Sequence, residues 1–549
     1  MPLRNRFVLA IILSSLAALA GCGSSSGSGS APPTGGFSDS NLSGTYVFST
    51  TGSDSTTGEL LAVTGSFTAD GKGGISGGTM DINDPAIGVA PAQAITAGSY
   101  SVGADGRPSS GSGLITLTSA AGTFNFDFVL TSSEGGLITE FDSNGSGSGT
   151  LELQTTVAQS SINGQSYVFN FSGTSTNGTG AVCGNGSVGG TLPFATVGAF
   201  TVDSSGNITG IEDVNSNCVS LYGTSGTAIT GGSINLGTVP GTATITTAGN
   251  TYSFDVYPVS PTELKFIEID SLPVVSGEVF SQSSSIPTGN NVFAVAGFDI
   301  VVGSPFTSVG LLVTDGAGNI TTSSVQDIND AGTAFEVPGF SGGYSTLTGG
   351  RSLITMNGFV KGDSGSGCSS CQFAVYPSSG GLQILEVDGG GATDGVAYLQ
   401  GGSPSLASGQ GYGMNLTGFN FNSDTEEDDI AEFTNTSGTF SPGKIDVNDE
   451  GSTSFGNSFS STYSADSTVS GRGTVAAGSN SYDLITYVVN GGAGTPTAVA
   501  IDSDGTFVSL GLLGTQTASA SSNAATRHLK VLSLKPGTKP KALKRRQQK

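Results

Sequence analysis

The sequence predicts an all-β protein built as a tandem array of four antiparallel domains, each an up-and-down β-barrel or a β-sandwich. Three observations predict this class. The 549 residues include 88 Gly and 20 Pro, apolar and polar residues alternate in short runs, and one set of motifs recurs four times. Gly in a helix interior costs roughly 1 kcal/mol relative to Ala, so this composition excludes a helical protein. Hydrophobic residues still make up 36% of the chain, which is enough to build packed cores.

The segment Met1–Cys22 has the pattern of an export signal. Arg4 and Arg6 precede an apolar run that ends at Ala20 and is shorter than the roughly 20 residues needed to cross a bilayer. Leu19-Ala20-Gly21-Cys22 resembles the lipobox of bacterial lipoproteins. The resemblance implies that Cys22 is diacylated and holds the protein to a lipid bilayer, without a spanning helix. In that family, Gly23 after the Cys fits release to an outer membrane.

Residues 23–40 form a Gly/Ser/Pro tether, with a reach of roughly 20 to 25 Å as a flexible coil. Four copies of one unit follow. Each copy contains an Asp-aliphatic-Asn motif, with its Asp at 81, 213, 327 or 446, and a closing Gln at 154, 282, 400 or 516. The spacing from Asp to Gln is nearly the same in all four copies, which is too regular for chance.

These motifs define repeats at 41–156, 161–282, 288–400 and 409–516, before a basic, disordered tail at 521–549. At about 115 residues, each repeat can support a core of its own. Short Ser-rich links between the repeats predict a semi-rigid string of domains.

Alternation in the first repeat predicts eight strands, at 44–50, 60–69, 74–82, 94–102, 112–118, 123–130, 136–142 and 149–155. Turns such as Asp70-Gly71 mark hairpins, because Gly accepts the positive φ that the turn requires. Eight antiparallel strands with short links fit a closed barrel or a two-sheet sandwich, and the barrel is favoured because closure removes exposed edges.

Residues 1–520 as a whole resemble the Gly/Ser-rich tandem-repeat lipoproteins of acidobacteria. The resemblance depends on the lipobox and on Tyr-x-Phe, Asp-Gly-x-Gly and Asp-x-Asn elements, such as Tyr46-Val47-Phe48, Asp70-Gly71-Lys72-Gly73 and Asp81-Ile82-Asn83. It implies display outside the cytoplasm, on the periplasmic or the surface side of the envelope. It implies no known reaction.

Charge and histidine content exclude several functions. Eleven of the 18 cations lie before Phe7 or after Ala525, so the body keeps seven cations against 42 acids, a net charge of −35. Such a body repels nucleic acid. The only histidine, His528, lies in the tail, which excludes a Ser/His/Asp triad and a His-based metal centre in every repeat. The basic tail is expected to meet anionic envelope polymer or the acidic body itself.

Four cysteines remain after Cys22: Cys183 and Cys218 in the second repeat, and Cys368 and Cys371 in the third. An even count in an exported protein predicts disulfides, most simply within each repeat. The alternative for Cys368-Ser369-Ser370-Cys371 is a redox motif, but the helix that such a motif requires is absent from the pattern.

Paired acids are the main candidates for chemistry. Three repeats carry an acid-x-Asp strand, namely Glu140 and Asp142, Glu268 and Asp270, and Glu386 and Asp388, whereas the fourth reads Ala500-Ile501-Asp502. Residues i and i+2 of a strand share a face. The pairs are interpreted first as outward residues or turn anchors, second as weak Ca²⁺ or sugar sites, and third as a catalytic pair. No cofactor is predicted. The acidic run Asp424–Asp429 is interpreted as a solvated loop, and the Asp-Gly turns as turns rather than calcium loops.

The only Arg residues of the body are Arg107, Arg351 and Arg472, and each follows the Asp of an Asp-x-Asn motif at nearly the same distance along the chain. Cations kept at one repeat position require carboxylate partners, either that Asp or the Asp of acid-x-Asp. Structural pairing across neighbouring strands is the first interpretation, and an anion or glycan site is the alternative.

Together these features predict a non-catalytic binding or adhesion module outside the cytoplasm, with glycans or envelope polymers as ligands. The alternatives are a purely structural spacer and a carboxylate-dependent hydrolase.

Overall fold

The structure, a computed structural model, describes residues 36–518 apart from 85–87, 176–191, 217–218, 249, 271–272, 300–303, 363–366, 390, 479–481 and 492–494. Cys22, Cys183, Cys218 and the basic tail therefore lie outside the described residues. All of the described residues belong to one compact unit. They form four closed antiparallel β-barrels in tandem, which confirms the predicted fold class.

Barrel 1 contains β1 (Ser43–Asp54), β2 (Leu60–Asp70), β3 (Gly74–Asp84), β4 (Gly88–Ile95), β5 (Ala97–Ser99), β6 (Ile115–Ser119), β7 (Gly122–Ser132), β8 (Gly135–Glu140) and β9 (Gly145–Leu153). Barrel 2 contains β10 (Ser166–Ser175), β11 (Leu192–Val202), β12 (Ile208–Ser216), β13 (Val219–Ser220), β14 (Thr227–Asn235), β15 (Gly241–Thr247), β16 (Asn250–Ser260), β17 (Glu263–Glu268) and β18 (Val274–Ser281).

Barrel 3 contains β19 (Gly289–Asp299), β20 (Ser304–Thr314), β21 (Asn319–Asp330), β22 (Thr333–Thr346), β23 (Ser352–Asn357), β24 (Cys371–Ser378), β25 (Gly381–Glu386) and β26 (Gly391–Leu399). Barrel 4 contains β27 (Gln410–Asn420), β28 (Thr425–Thr436), β29 (Thr439–Asp449), β30 (Ser452–Ala465), β31 (Arg472–Ala477), β32 (Leu484–Val488), β33 (Ala498–Asp502) and β34 (Phe507–Thr515). Helical structure in the described residues is limited to single turns at Asp39–Asn41, Gln159–Ile162, Gly223–Ser225 and Thr348–Gly350.

Each barrel is an up-and-down meander whose first strand pairs with its last, as β1 pairs with β9 and β27 with β34. In barrels 3 and 4 the eight strands close directly. In barrels 1 and 2 the fourth strand is split in two, so the strand predicted at 94–102 is in fact β4, which begins earlier at Gly88, followed by the short β5.

Alternation along the strands separates two kinds of core. On β1, Tyr46 and Phe48 point into barrel 1 and pack with Phe67 and Phe126. Val47, between them, points outward and joins an apolar cluster with Val259 and other side chains of barrel 2. Similar clusters connect barrel 2 to barrel 3, and barrel 4 to barrels 3 and 1. The barrels therefore bury apolar surface twice, once inside and once against each other.

The repeated Gly shortly before the closing Gln has a steric cause. A Cβ on Gly149 would lie 1.6 Å from the Ser49 carbonyl oxygen on the neighbouring strand β1. The same Gly on β18 and β26 would place a Cβ 2.0 Å from the carbonyl oxygen of Asn170 and 2.2 Å from that of Ala294. The joining strands approach so closely that only Gly fits.

The four barrels form a closed ring of contacts and not a string. Asn41, before β1, donates a hydrogen bond from Nδ2 to the carbonyl oxygen of Ala518, after β34, at 2.6 Å. The backbone N–H of Thr517 donates to Thr131 O on β7 at 2.7 Å. The expectation of a semi-rigid string is therefore wrong, because the outward apolar face of barrel 4 packs against barrel 1. We call the four contact regions seams 1/2, 2/3, 3/4 and 4/1, after the barrels that they join.

Candidate functional site: the seams between barrels

The Asp-x-Asn motif lies at the end of the third strand of each barrel and inserts into a neighbouring barrel. Its Asn binds backbone carbonyl oxygens beside the first acid of the acid-x-Asp strand. In seam 4/1, Asn448 donates to Glu140 O at 2.7 Å and to Gly145 O at 2.8 Å. The equivalent bonds to the first acid's carbonyl run from Asn83 to Glu268, Asn215 to Glu386 and Asn329 to Asp502.

The Asp of the motif forms an ion pair with an Arg in three seams, and the Arg is buried in two of them and partly buried in the third. In seam 2/3, Arg351 donates from Nε to Asp213 Oδ2 at 2.6 Å and from Nη2 to Asp213 Oδ1 at 2.7 Å, and Tyr376 donates to Oδ2 at 2.7 Å. Arg351 is 0% exposed, which leaves no guanidinium surface for a ligand. A bidentate pair of this kind combines charge with fixed geometry.

Seam 3/4 repeats the arrangement. Arg472 binds both carboxylate oxygens of Asp327 at 2.8 Å, and Tyr487 donates to the same carboxylate at 2.5 Å. Seam 4/1 has the Arg but not the Tyr: Arg107 contacts Asp446 and lies over the Phe455 ring, 5.3 Å from its centroid. Every Arg thus bonds the motif Asp of a neighbouring barrel, and Arg472 also bonds Asp466 of its own barrel, with Nη1 3.1 Å from Oδ2.

Seam 1/2 has no Arg among its described residues. The motif Asp81 accepts a hydrogen bond from Tyr257 and lies beside a second carboxyl group, that of Asp255. Burial, followed by the neighbouring Asp81, raises the pKa of Asp255 to about 7. Burial also raises the pKa of Asp81. The two carboxyl groups therefore share a proton where the other seams hold a guanidinium.

The acid-x-Asp residues have two different roles. The second acid anchors backbone: Asp142 accepts from the N–H groups of Asn125 and Asn144 at 2.9 and 2.8 Å, and Asp270 from Ser253 N at 2.7 Å. Asp388 accepts from Gln372 N at 3.0 Å. The first acid is buried in the seam, so the expectation of an outward residue is wrong for Glu140, Glu268 and Glu386.

Burial sets the protonation of the first acids. It raises the pKa of Glu140 well above its ordinary value, that of Glu268 to about 9 and that of Glu386 to about 7. In Glu386, the ammonium group of Lys361 offsets part of this rise, because Lys361 Nζ lies 2.7 Å from Glu386 and 2.8 Å from Asp388.

The fourth acid pair is Asp502 and Asp504, and not Ala500 and Asp502. Ala500 pairs with Gly511 just as Ile138 pairs with Gly149, so the register places Asp502 at the position of Glu140. The contacts agree, because Asn329 donates to Asp502 O. Burial raises the pKa of Asp502 to about 9, as it does for Glu268. The interpretation that the motif loses its first acid in repeat four is therefore wrong.

The closing Gln of each repeat also crosses a seam. Gln154 donates from Nε2 to Pro258 O at 2.6 Å, and Gln516 closes the ring with a bond to Asp105 O at 2.7 Å. Gln282 and Gln400 reach carbonyl oxygens of barrels 3 and 4 in the same way. The Gln that marked the repeat length in the sequence is thus a repeated connector between barrels.

The acidic run Asp424–Asp429 is not a solvated loop. Only Asp424 is exposed, and the strand β28 begins at the next residue. Glu426 faces barrel 1, where Ser53 donates to it at 2.7 Å, and Glu427 accepts from Tyr482 within barrel 4 at 2.7 Å. Burial raises the pKa of Asp428 to about 6. Period-two alternation was hidden here because both faces of the strand carry acids.

Two further groups of acids, one in a turn of barrel 1 and one in seam 1/2, have partners within the protein. Asp70 accepts from the N–H groups of Lys72 and Gly74 at 2.7 and 2.9 Å, which accounts for it as a turn residue. In seam 1/2, Glu152, Glu263 and Glu278 lie close enough together to hold a metal ion. Lys265 lies among them, with Nζ 2.7 Å from Glu152 and 2.8 Å from Glu278. Sequence reasoning missed this cluster, since its residues come from two barrels.

Cys368 and Cys371 form a disulfide, as the even cysteine count predicted. The bond lies beside the segment that carries Lys361, where Gly358 N donates to Cys368 O and Cys368 N donates to Phe359 O, both at 2.9 Å. The pairing predicted for Cys183 and Cys218 falls on residues outside the described part of the chain.

No family model matches the chain, and no curated protein matches it. Solved structures that match include two forms of transferrin binding protein B from Haemophilus parasuis, a double mutant and a single mutant. Each is 11% identical, with a TM-score of 0.17, over 71% of this chain and 82% of that one. At that TM-score the likeness carries no argument. No helix within the described residues is long and apolar enough to cross a membrane.

Proposed function

We propose that this chain is a lipid-anchored protein outside the cytoplasm, whose ring of barrels acts as a non-catalytic binding platform for glycans or other envelope polymers. The observation that carries the proposal is closure of the ring. Asn41 Nδ2, before the first strand, lies 2.6 Å from the carbonyl oxygen of Ala518, after the last strand. A spacer gains height by separating its two ends, whereas this chain returns to its start. Closure therefore favours a platform over a spacer.

The placement of the charged candidates argues against a hydrolase. Arg107 and Arg351 are 3% and 0% exposed and bind carboxylates of neighbouring barrels. The first acids, Glu140 and Glu268, are 1% and 0% exposed and recur at every seam. Groups used four times to join barrels have the distribution of a structural device, while a catalytic pair would face a cleft.

The surface left for a ligand is formed by strands away from the seams. On β15, Thr242 is exposed, while Thr244 and Thr246 are partly exposed, and all three alternate with buried residues. Thr246 Oγ1 lies 3.0 Å from Thr251 Oγ1 on the next strand. Thr118 and Thr123 form the same cross-strand pair in barrel 1 at 3.2 Å. Rows of hydroxyl groups with little charge suit a neutral, hydroxyl-rich polymer, because each can donate and accept.

Retention of the full chain on immobilised polysaccharides tests the proposed ligand class. Replacing Thr242, Thr244 and Thr246 together by Ala is expected to reduce retention, while the matched Thr→Ser variant keeps the hydroxyl groups and the retention. Equal melting temperatures show that both variants fold. No retention of the unmodified chain on any polysaccharide, or equal retention of both variants, would contradict the proposal.

Anchoring is tested separately by Cys22→Ser in the full chain. The variant is expected to leave the membrane fraction, because the acyl chains have lost their attachment site. A variant that remains in that fraction after a high-salt wash would contradict a lipid anchor at Cys22.

A further inference from the structure

In barrel 3, the acid pair Glu386 and Asp388 binds the ammonium group of Lys361. Lys361 places one ammonium group 2.7 Å from Glu386 Oε1 and 2.8 Å from Asp388 Oδ1. The pair thus holds a single positive charge between a buried carboxylate and a half-buried one. Glu386 also accepts from Thr393 at 2.7 Å, which fixes the carboxylate in place.

The other three barrels have the same pair without a cation. Glu140, Glu268 and Asp502 share the register position of Glu386, since each pairs with an equivalent Phe or Leu on the preceding strand. Among the described residues, no Lys or Arg lies within ion-pair distance of these acids or of their partners Asp142, Asp270 and Asp504.

The buried acids of these pairs also have unused oxygen atoms. Glu140 Oε1 and Asp502 Oδ2 are buried and accept no hydrogen bond, and the buried carboxylate of Glu268 has the backbone N–H of Val275 beside it. Buried polar atoms without a partner are rare, because each loses its hydration without compensation. The half-buried Asp270 beside Glu268 gives an ion access from solvent.

We propose that the acid pairs of barrels 1, 2 and 4 each bind one Ca²⁺ ion at the position that Lys361 Nζ occupies in barrel 3. Carboxylate oxygens are the ligands that Ca²⁺ prefers, and water completes its coordination sphere. With only two carboxylates each, the sites belong to the weak class of extracellular calcium modules, with dissociation constants of about 10⁻⁴ to 10⁻³ M. The sites would join neighbouring barrels at their seams, independently of any polymer that the platform binds.

Equilibrium dialysis of the full chain against ⁴⁵Ca²⁺, at mildly alkaline pH and physiological ionic strength, tests the proposal. Three saturable sites are expected. Lys361→Met empties the cationic position in barrel 3 and is expected to add a fourth site, while Lys444→Met, which removes an ammonium group outside the acid pairs, is expected to leave three. Glu268→Gln and Glu140→Gln are each expected to remove one site.

Circular dichroism melting confirms that each variant folds. If Lys361→Met does not fold, the two Glu→Gln variants decide the question alone. Absence of saturable binding, or a site count that neither Glu→Gln variant lowers, would overturn the proposal. Polymer retention is measured in a separate experiment, so failure of the calcium sites and failure of the binding platform are distinguishable.

Discussion

Seams 2/3 and 1/2 join the same strands of neighbouring barrels, but they neutralise the central carboxylate differently. In seam 2/3 the guanidinium of Arg351 holds both oxygens of Asp213. In seam 1/2 the register places Pro240 opposite Tyr257, where barrel 4 has Arg472 opposite Tyr487, and Asp255 supplies a shared proton instead. Seam 1/2 thus lacks an Arg at the motif Asp, although Lys265 crosses the seam to Glu152, and the carboxyl pair at its centre depends on pH.

The largest expected effect is the loss of the cation from seam 2/3. Arg351→Ala leaves Asp213 buried without its counter-charge, which is expected to lower the free energy of unfolding by about 3 to 5 kcal/mol. Denaturant titration of the full chain measures the loss. Lys72→Ala, which removes an exposed cation in the turn between β2 and β3, is the control and is expected to have little effect. A loss below about 1 kcal/mol for Arg351→Ala would show that the pair does not hold the seam.

The second expected effect is a pH dependence of seam 1/2 to which Asp255 contributes. The folded pKa of Asp255 is raised from 3.8 to about 7, so the stability that it contributes is complete below its unfolded pKa and is lost as pH rises through about 7. We expect the backbone amides of β2 and β16 to lose hydrogen-exchange protection between about pH 4 and about pH 7, after correction for intrinsic exchange.

The strands β11 and β24 of seam 2/3 lie beside buried acids of their own, Glu212 and Glu386, whose pKa burial raises to about 7. The contribution of Asp255 is therefore measured by its removal. Asp255→Asn is expected to reduce the pH dependence of the β2 and β16 amides and to leave the profile of the β11 and β24 amides unchanged. An unchanged profile at β2 and β16 in this variant would refute a role of the Asp81 and Asp255 carboxyl groups in seam 1/2.

A smaller loss of stability is expected at the Gly that recurs in every barrel shortly before the closing Gln. Gly149→Ala introduces a Cβ that would lie 1.6 Å from Ser49 O, so the strands must separate, at a cost of about 1 to 3 kcal/mol. Gly402→Ala is the matched control, since nothing lies within 4 Å of its added Cβ. Equal melting temperatures for the two variants would contradict the steric explanation of the repeated Gly.

The smallest effect is expected from the disulfide between Cys368 and Cys371. It closes a loop of only a few residues, so its removal by Cys→Ser at both positions is expected to cost about 2 kcal/mol or less. Differential scanning calorimetry measures this shift. A loss as large as that of Arg351→Ala would mean that the bond supports more than its own loop.

The sequence predicted the barrels well because their determinants are local. Alternation such as Phe124-Asn125-Phe126 and turns such as Asp70-Gly71 specify strands and hairpins within a few residues. The partners of the Arg residues were predicted by type, since the Asp of Asp-x-Asn was one of two candidates. Their location in a neighbouring barrel was not, because the contact between Arg107 and Asp446 joins opposite ends of the chain.

The seams could not be predicted for a related reason. Buried acids such as Glu140 and Asp428 have the composition of a solvated surface, and only the packing of a neighbouring barrel makes them interior. The fourth acid pair, Asp502 and Asp504, does not show in the sequence pattern, because the pattern depends on residue type, whereas strand register sets the position of each acid. The prediction of a string was wrong because outward apolar residues, such as Val47, require a partner surface, and a neighbouring barrel supplies it.

Closure of the ring is the central claim, and the distance between its ends tests it most directly. Donor and acceptor dyes attached to non-canonical residues at Ser40 and Ala518 of the full chain report that distance by energy transfer. The closed ring places the two attachment points side by side and predicts nearly complete transfer. Four barrels in line, each about 30 Å across, would separate the dyes by on the order of 100 Å and abolish the transfer, which would contradict the ring.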